Sequence, residues 1–380
     1  MIKHAAVIDV GEWQTTVDLS DGREMAAEGP RLEVARAVLA AHPYPGDLTD
    51  EGLRWVTDTA LDLHARYAPN YMMLDYAYAH LRAVYGEQSP EERAQSIAEV
   101  FGEVARFLEA TGFEPVVVGL GGTMPCLGRI ETLDLEATVA AAGMHASFAG
   151  LYGATERDLE RLAEREGVAR VLSREAFRAE FGGSDVFYSA FPDWLAVAED
   201  GYLFRGVNTG TRRARRLPRP EAEIPLHTAL AGPPLESLVD VAGHVLAGLE
   251  HARVALILVE GVDGETFPWP HRMIANRAGW YRYPSGSHQY LALNTGRHFI
   301  EHPDPPGYRF ELYDGPEARY PFSGTFMSLP ETAIGRRYAG RSAAVGSRSM
   351  LTHVCAGTEI AVECFARSLY NQGVMAAVRL

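Results

Sequence analysis

Several groups of side chains in this chain have the types and spacing that chemistry requires. The run Tyr283-Pro-Ser-Gly-Ser-His288 offers Ser285 and Ser287 as hydroxyl nucleophiles next to the imidazole of His288, and Asn294-Thr-Gly-Arg-His-Phe-Ile-Glu-His302 follows it. Upstream, an apolar run at residues 254–259 ends in Glu260-Gly-Val-Asp263-Gly, which puts two carboxylates at the mouth of a sheet. A hydroxyl-bearing loop after an acid-tipped strand is where a covalent-catalysis enzyme keeps its nucleophile. A second group, Leu74-Asp75-Tyr-Ala-Tyr-Ala-His80, sets a carboxylate and an imidazole just past an expected strand end, the usual place for α/β sites. Asp75, His80 and Glu260 are the candidate ligands for one divalent metal, Zn or Mn, although His80 at this spacing also suits a structural histidine.

Other features could bind anions without a metal. Gly119, Gly121 and Gly122 follow a strand, where their backbone N–H groups could face a phosphate or simply make a tight turn. The arginines at 212, 213, 215 and 216 form a local basic patch or a solvated loop. Near the C-terminus Arg348, His353 and Cys355 precede an expected helix at residues 358–370. On that helix Glu359, Glu363 and Arg367 share one face at i, i+4, i+8 and read as a salt ladder. A helix N-terminus favours a thiolate or an anion, so Arg348 is a candidate anion clamp and His353 a further catalytic candidate, while His80 or His288 is the candidate acid–base partner.

These groups need elements to hold them. With 380 residues, 47% of them hydrophobic, the chain can bury a full core. The formal charge of −15 disfavours nucleic acid and anionic membrane as partners. Lys3 is the only lysine, which excludes a Schiff-base lysine and a GxxxxGK[ST] loop. The cysteines Cys126, Cys355 and Cys364 form no CxxC pair, and no stretch approaches the length of a membrane span. The reading is a soluble, unprocessed, cytoplasmic protein.

Along the chain, residues 4–26 alternate as a β-hairpin. Residues 49–67 carry a helical stripe, Leu53, Val56, Ala60, Leu61 and His64, after a cap at Thr49 or Asp50, and residues 71–75 read as a buried strand. Ser89-Pro-Glu-Glu starts a long helix with the stripe Ile97, Val100, Phe101, Val104, Phe107 and Leu108, ending at Thr111-Gly112. A strand at 115–118 follows, so the natural unit is parallel α/β. Thr155 caps a charged helix, and strands are expected at 168–172, 194–198 and 374–378, with a helix at 235–249. The predicted fold class is α/β, with a mostly parallel central sheet flanked by helices and an irregular region at about 303–330. The arginine-rich loop suggests segments 1–216 and 217–380, the second completing the sheet of the first.

At the level of pattern the chain resembles the alkaline phosphatase superfamily, in particular its phosphodiesterase and phosphonoacetate-hydrolase branch. Members carry D-x-x-x-H-x-x-G, a Ser-Pro-Glu helix and a strand ending in a D-H-G metal motif. Residues 71–86, 89–108 and 116–124 follow that order, with Asp75 to His80 one residue longer. Gly167-Val-Ala-Arg-Val-Leu-Ser-Arg-Glu175 and Pro192-Asp-Trp-Leu-Ala-Val-Ala-Glu-Asp-Gly-Tyr-Leu-Phe204 look like later segments of the family. The family's opening elements, an acid-tipped strand, a Ser or Thr nucleophile and T-G-x-x-P-x-x-H, stand near the C-terminus as residues 254–261, Ser285 or Ser287, and Thr295 to His302, with Phe299 in place of proline. The order is thus circularly permuted, and the last strand is expected to feed toward the N-terminal hairpin. Where the family has D-H-G-M, this chain has Gly121-Gly122-Thr123-Met124, and Pro220-Glu-Ala-Glu-Ile-Pro225 takes the place of the later histidine motif. The resemblance implies a hydrolase or transferase for a small anionic substrate, with a reduced or absent metal centre. A non-catalytic binding descendant, which could be a homo-oligomer, is the alternative. Val7-Ile-Asp9-Val-Gly11 with residues 116–122 suggests a third reading, a nucleotide-binding protein like sugar kinases and actin.

Overall fold

The computed structural model describes residues 5–9, 15–18, 24–141, 147–183, 185, 188, 191–205, 214–277, 286–298, 332–347, 358–364 and 374–380. The chain opens with β1 (Ala5–Asp9), β2 (Thr15–Asp18), α1 (Pro30–Ala41) and α2 (Asp50–Tyr67). Next come β3 (Tyr71–Tyr76), α3 (Tyr78–Tyr85), α4 (Pro90–Thr111) and β4 (Glu114–Gly119). A run of smaller elements follows: β5 (Thr123–Pro125), β6 (Gly128–Ile130), β7 (Thr138–Ala140), β8 (Phe148–Tyr152), α5 (Glu156–Ala163), β9 (Val168–Ser173), α6 (Arg174–Phe181), β10 (Trp194–Ala198), β11 (Tyr202–Phe204) and β12 (Arg216–Pro218). The rest is β13 (Glu223–Thr228), α7 (Asp240–Gly248), β14 (Val254–Val259), β15 (Arg272–Ala275), α8 (Gly286–Thr295), α9 (Ile334–Arg337), β16 (Ser342–Gly346), β17 (Ile360–Cys364) and β18 (Val374–Arg379).

The main sheet has ten strands in the order β15-β13-β4-β14-β3-β16-β17-β18-β1-β2. Its centre, β4, β14, β3, β16 and β17, is parallel, and antiparallel strands flank it on both sides, so the sheet is mixed. Every residue of β3 and β14 is buried, as expected for parallel strands covered on both faces. Alternation sends Met72, Leu74 and Tyr76 to a core shared with α1, α2 and α4. Tyr71 and Met73 go to the other face, against α7, α8 and α9. A separate sheet, β7-β8-β10-β9, forms a small lobe with α5 and α6.

Local signals explain most boundaries. Ser89 and Glu92 close a capping box at the start of α4, Pro90 sits in its first turn, and Gly112 ends it in the left-handed region at φ 66°. The predicted stripe is buried, from Ile97 to Phe107. Thr49 Oγ1 caps α2 by accepting the Gly52 N–H at 3.1 Å. The helix expected at 235–249 starts only at Asp240, because its carboxylate accepts the N–H groups of Glu236 and Ser237 and makes a turn there. β18 pairs antiparallel with β1, which brings the end of the described chain to the opening hairpin.

The helix expected at 358–370 is not formed at its start. Residues Ile360–Cys364 are a strand between β16 and β18. Glu359 and Glu363, spaced like a helix face, also frame the apolar run Ile-Ala-Val, and a run this short and apolar suits an interior strand. Glu359 ends at the strand's start, bonded to Arg31 and Tyr67, while Glu363 is buried at its far end. Arg367 lies outside the described residues, as does the region 303–330. No helix among the described residues is long and apolar enough to cross a membrane.

Leu256 in β14 is fully buried and Leu133 is 81% exposed. Leu256→Ala is expected to cost about 2–5 kcal/mol in urea unfolding, and Leu133→Ala no more than about 0.5 kcal/mol. Equal losses would contradict this placement of the core.

Candidate functional site

The central strands end in register. Gly119 of β4 stands beside Val259 of β14, Val259 beside Tyr76 of β3, Asp75 beside Gly346 of β16, and Gly346 beside Glu363 of β17. The two-residue period puts Asp75, Glu260 and Glu363 on the α8 side of the sheet, at 0%, 3% and 0% exposure. Gly346 separates Asp75 from Glu363, which is two strand spacings, roughly 10 Å, away.

Tyr290 of α8, itself buried, reaches both nearer carboxylates. Its hydroxyl is 2.9 Å from Asp75 Oδ2 and is also hydrogen-bonded to Glu260 Oε1. Both contacts draw on one phenolic proton. The three groups are therefore one hydrogen-bonded set, in which the phenol of Tyr290 lies between two carboxyl groups. His80, in the first turn of α3, lies with Nε2 3.8 Å from Glu260 Oε2. Gly261 permits that approach: at φ +81° its missing Cβ would stand 3.0 Å from the His80 Cα. Ser347 closes the other side, its N–H and hydroxyl 3.1 and 3.2 Å from the Asp75 carbonyl oxygen, and its Oγ accepts the Ala77 N–H at 2.8 Å.

The glycine loop after β4 points its donors inward. Gly121 N–H bonds the Val262 carbonyl at 2.9 Å and Gly122 N–H bonds Glu221 Oε1 at 3.0 Å, so these two groups are spent within the protein. A Cβ at Gly122 would fall 2.5 Å from Asp263 Oδ2, which ties this glycine to close packing against an acid. Asp263 accepts from Thr266 N–H and Oγ1 at 2.9 and 2.7 Å and pairs with Arg219 at 3.3 Å. Burial pushes the Glu221 carboxyl up, against the opposing Gly122 N–H, and Asp263 nearby adds to the rise.

The sequence candidates thus divide. Asp75, Glu260 and His80 come together, and Gly119, Gly121 and Gly122 lie alongside. Ser287 and His288 occupy the first turn of α8, the helix that carries Tyr290. Gln289, between them and Tyr290, donates to the Leu120 carbonyl at 3.0 Å and to Asn276 at 3.1 Å, so this turn is tied to the glycine loop. Thr295 and Gly296 sit at the other end of α8 and act as its C-terminus, with Thr295 Oγ1 bonded to the Leu291 carbonyl. Ser285, Arg348, His353, Cys355, Arg212 and Arg213 lie outside the described residues. Arg215 pairs with Glu87, and Arg216 bonds Thr123, so this part of the expected basic patch is dispersed. Sequence reasoning missed Tyr290, Gln289 and the site position of Glu363. The available signal for Tyr290 was its place one turn into a helix opened by Gly-Ser-His.

Asp75, Glu260 and His80 do not make a clear metal site: His80 Nε2 lies 3.8 Å from Glu260 Oε2, and the Tyr290 hydroxyl is bonded to both Asp75 and Glu260. Among the described residues no three His, Cys, Asp or Glu side chains are grouped to hold a metal ion. No family model matches the chain, and no curated protein matches it.

Tyr290→Phe removes the shared donor from two buried carboxylates and is expected to cost about 1–3 kcal/mol in urea unfolding; an unchanged midpoint would contradict the bridge. Glu221→Gln tests the glycine loop. A carboxyl raised on folding stabilises the fold below its unfolded value and loses that contribution as pH rises through the folded one. The melting temperature of Glu221→Gln should therefore gain on that of the parent protein as pH rises above 4.5; a gap independent of pH would contradict it.

Proposed function

We propose that the chain is a hydrolase or transferase with an alkaline-phosphatase-like arrangement, acting on a small anionic substrate at the C-terminal edge of β3, β4 and β14. One observation carries the reading: the Tyr290 hydroxyl held between Asp75 and Glu260, one helical turn from Ser287 and His288. The strands that bear the matched motifs are neighbours in the sheet, and β18 joins β1 as a permuted order requires, which supports the resemblance.

In this mechanism the substrate's anionic group sits at the first turn of α8, where a helix N-terminus favours negative charge. Ser285 or Ser287 attacks its central atom; the serine proton passes to a carboxylate, and the bond to the leaving group breaks as that group takes up a proton. Asp75, Glu260 and Tyr290 supply and take the proton, with His80 behind Glu260. The described residues do not make up a two-metal set. The inward-turned glycine loop favours a second reading, a binding protein that keeps the pocket without the reaction. The nucleotide reading has less support: β1 and β4 are six strand spacings apart, roughly 29 Å, too far for their motifs to grip one nucleotide.

Purified protein assayed with p-nitrophenyl phosphate, bis(p-nitrophenyl) phosphate and phosphonoacetate, with and without added Zn or Mn, is expected to turn over at least one probe. Tyr290→Phe and Asp75→Asn should each lower kcat by about 10²–10⁴-fold. Binding of the probes with no turnover would replace the enzyme by a binding protein.

A further inference from the structure

A second polar cleft lies away from the carboxylate set, beside the small lobe. It has a volume of about 430 Å³, and its lining includes Cys126, Gly128, Arg129, Glu131 and Arg205. Its wall is a two-stranded parallel ladder, β6 with β11, in which Arg129 stands opposite Leu203. The two-residue period therefore sets Arg129, Glu131 and Arg205 on one face of that ladder, with Ile130 and Phe204 buried behind it. The Arg205 N–H bonds the Ile130 carbonyl at 3.0 Å, which fixes the second arginine at the ladder's end.

The charges in this cleft are uneven. Arg205 meets Glu131 at 2.9 Å through Nη1 alone, and a guanidinium has five N–H donors. Arg161 and Arg165 nearby both close on Asp134. Arg129, half-buried, has no hydrogen-bond or ion-pair partner among the described residues. Its positive charge opposes the upward push of burial on the Cys126 thiol. In a chain of formal charge −15, the described residues set two guanidiniums facing the cleft against one carboxylate, a local positive site. Planar guanidinium forks suit an oxyanion with two or three acceptor oxygens.

We propose that this cleft binds a small oxyanion, a phosphate or a dicarboxylate, independently of the Tyr290 site. Calorimetry with inorganic phosphate and with malonate, on the full chain, separates them from each other and from the first site. Expected is binding of at least one probe, weakened at least about tenfold by Arg129→Ala and by Arg205→Ala and unchanged by Tyr290→Phe. Preference for phosphate or for malonate assigns the oxyanion class. A second measurement needs no ligand: Cys126 alkylation followed by peptide mass spectrometry, comparing anionic iodoacetate with neutral iodoacetamide. The iodoacetate-to-iodoacetamide rate ratio should fall in Arg129→Ala, and phosphate should slow both reagents. Loss of phosphate and malonate binding in Tyr290→Phe but not in Arg129→Ala would overturn the proposal, as would an unchanged rate ratio with no binding of either ion.

Discussion

Carboxylates buried at the end of an apolar sheet dominate the physics of this molecule. β3 and β14 are buried along their whole length, so any polar side chain at their ends is taken out of water and needs a partner. Asp75 and Glu260 share one, the hydroxyl of Tyr290. The position of α8, and of what it carries, follows from this requirement.

Three consecutive residues of α8 point to three parts of the structure. Gln289 bonds the glycine loop, Tyr290 bonds the carboxylates, and Leu291 enters the apolar cluster of the small lobe with Phe177, Phe191 and Leu195. The first turn of α8 is thereby fixed against both the main sheet and the lobe. The helix is thus tied by a hydrogen bond, a shared-donor bridge and an apolar contact.

Much of the fold was legible because its signals are local. The capping box at Ser89, the stripe from Ile97 to Phe107 and the apolar run at 254–259 each act through neighbours in sequence. The strand Ile360–Cys364 was misread because its two glutamates have helical spacing, and only the neighbouring strands β16 and β18 decide the matter. In the site, the acid near the end of β3, the imidazole after it and the acid after β14 were visible as strand-end residues. Tyr290 was hidden in Tyr-Leu-Ala-Leu, which reads as core, and its bond to Asp75 spans residues far apart in the chain. The glycine loop showed the limit of composition: glycines permit a phosphate cradle, but Glu221 and Val262 claim the donors.

The central claim is that chemistry happens where Tyr290 meets Asp75 and Glu260. Crystals soaked in tungstate, with anomalous scattering measured at the tungsten edge, test it most directly. The expected result is an oxyanion at the first turn of α8, within hydrogen-bond reach of the 285–288 backbone and next to the Tyr290 bridge. Tungstate bound only elsewhere on the protein, with this turn empty at saturating concentration, would contradict it.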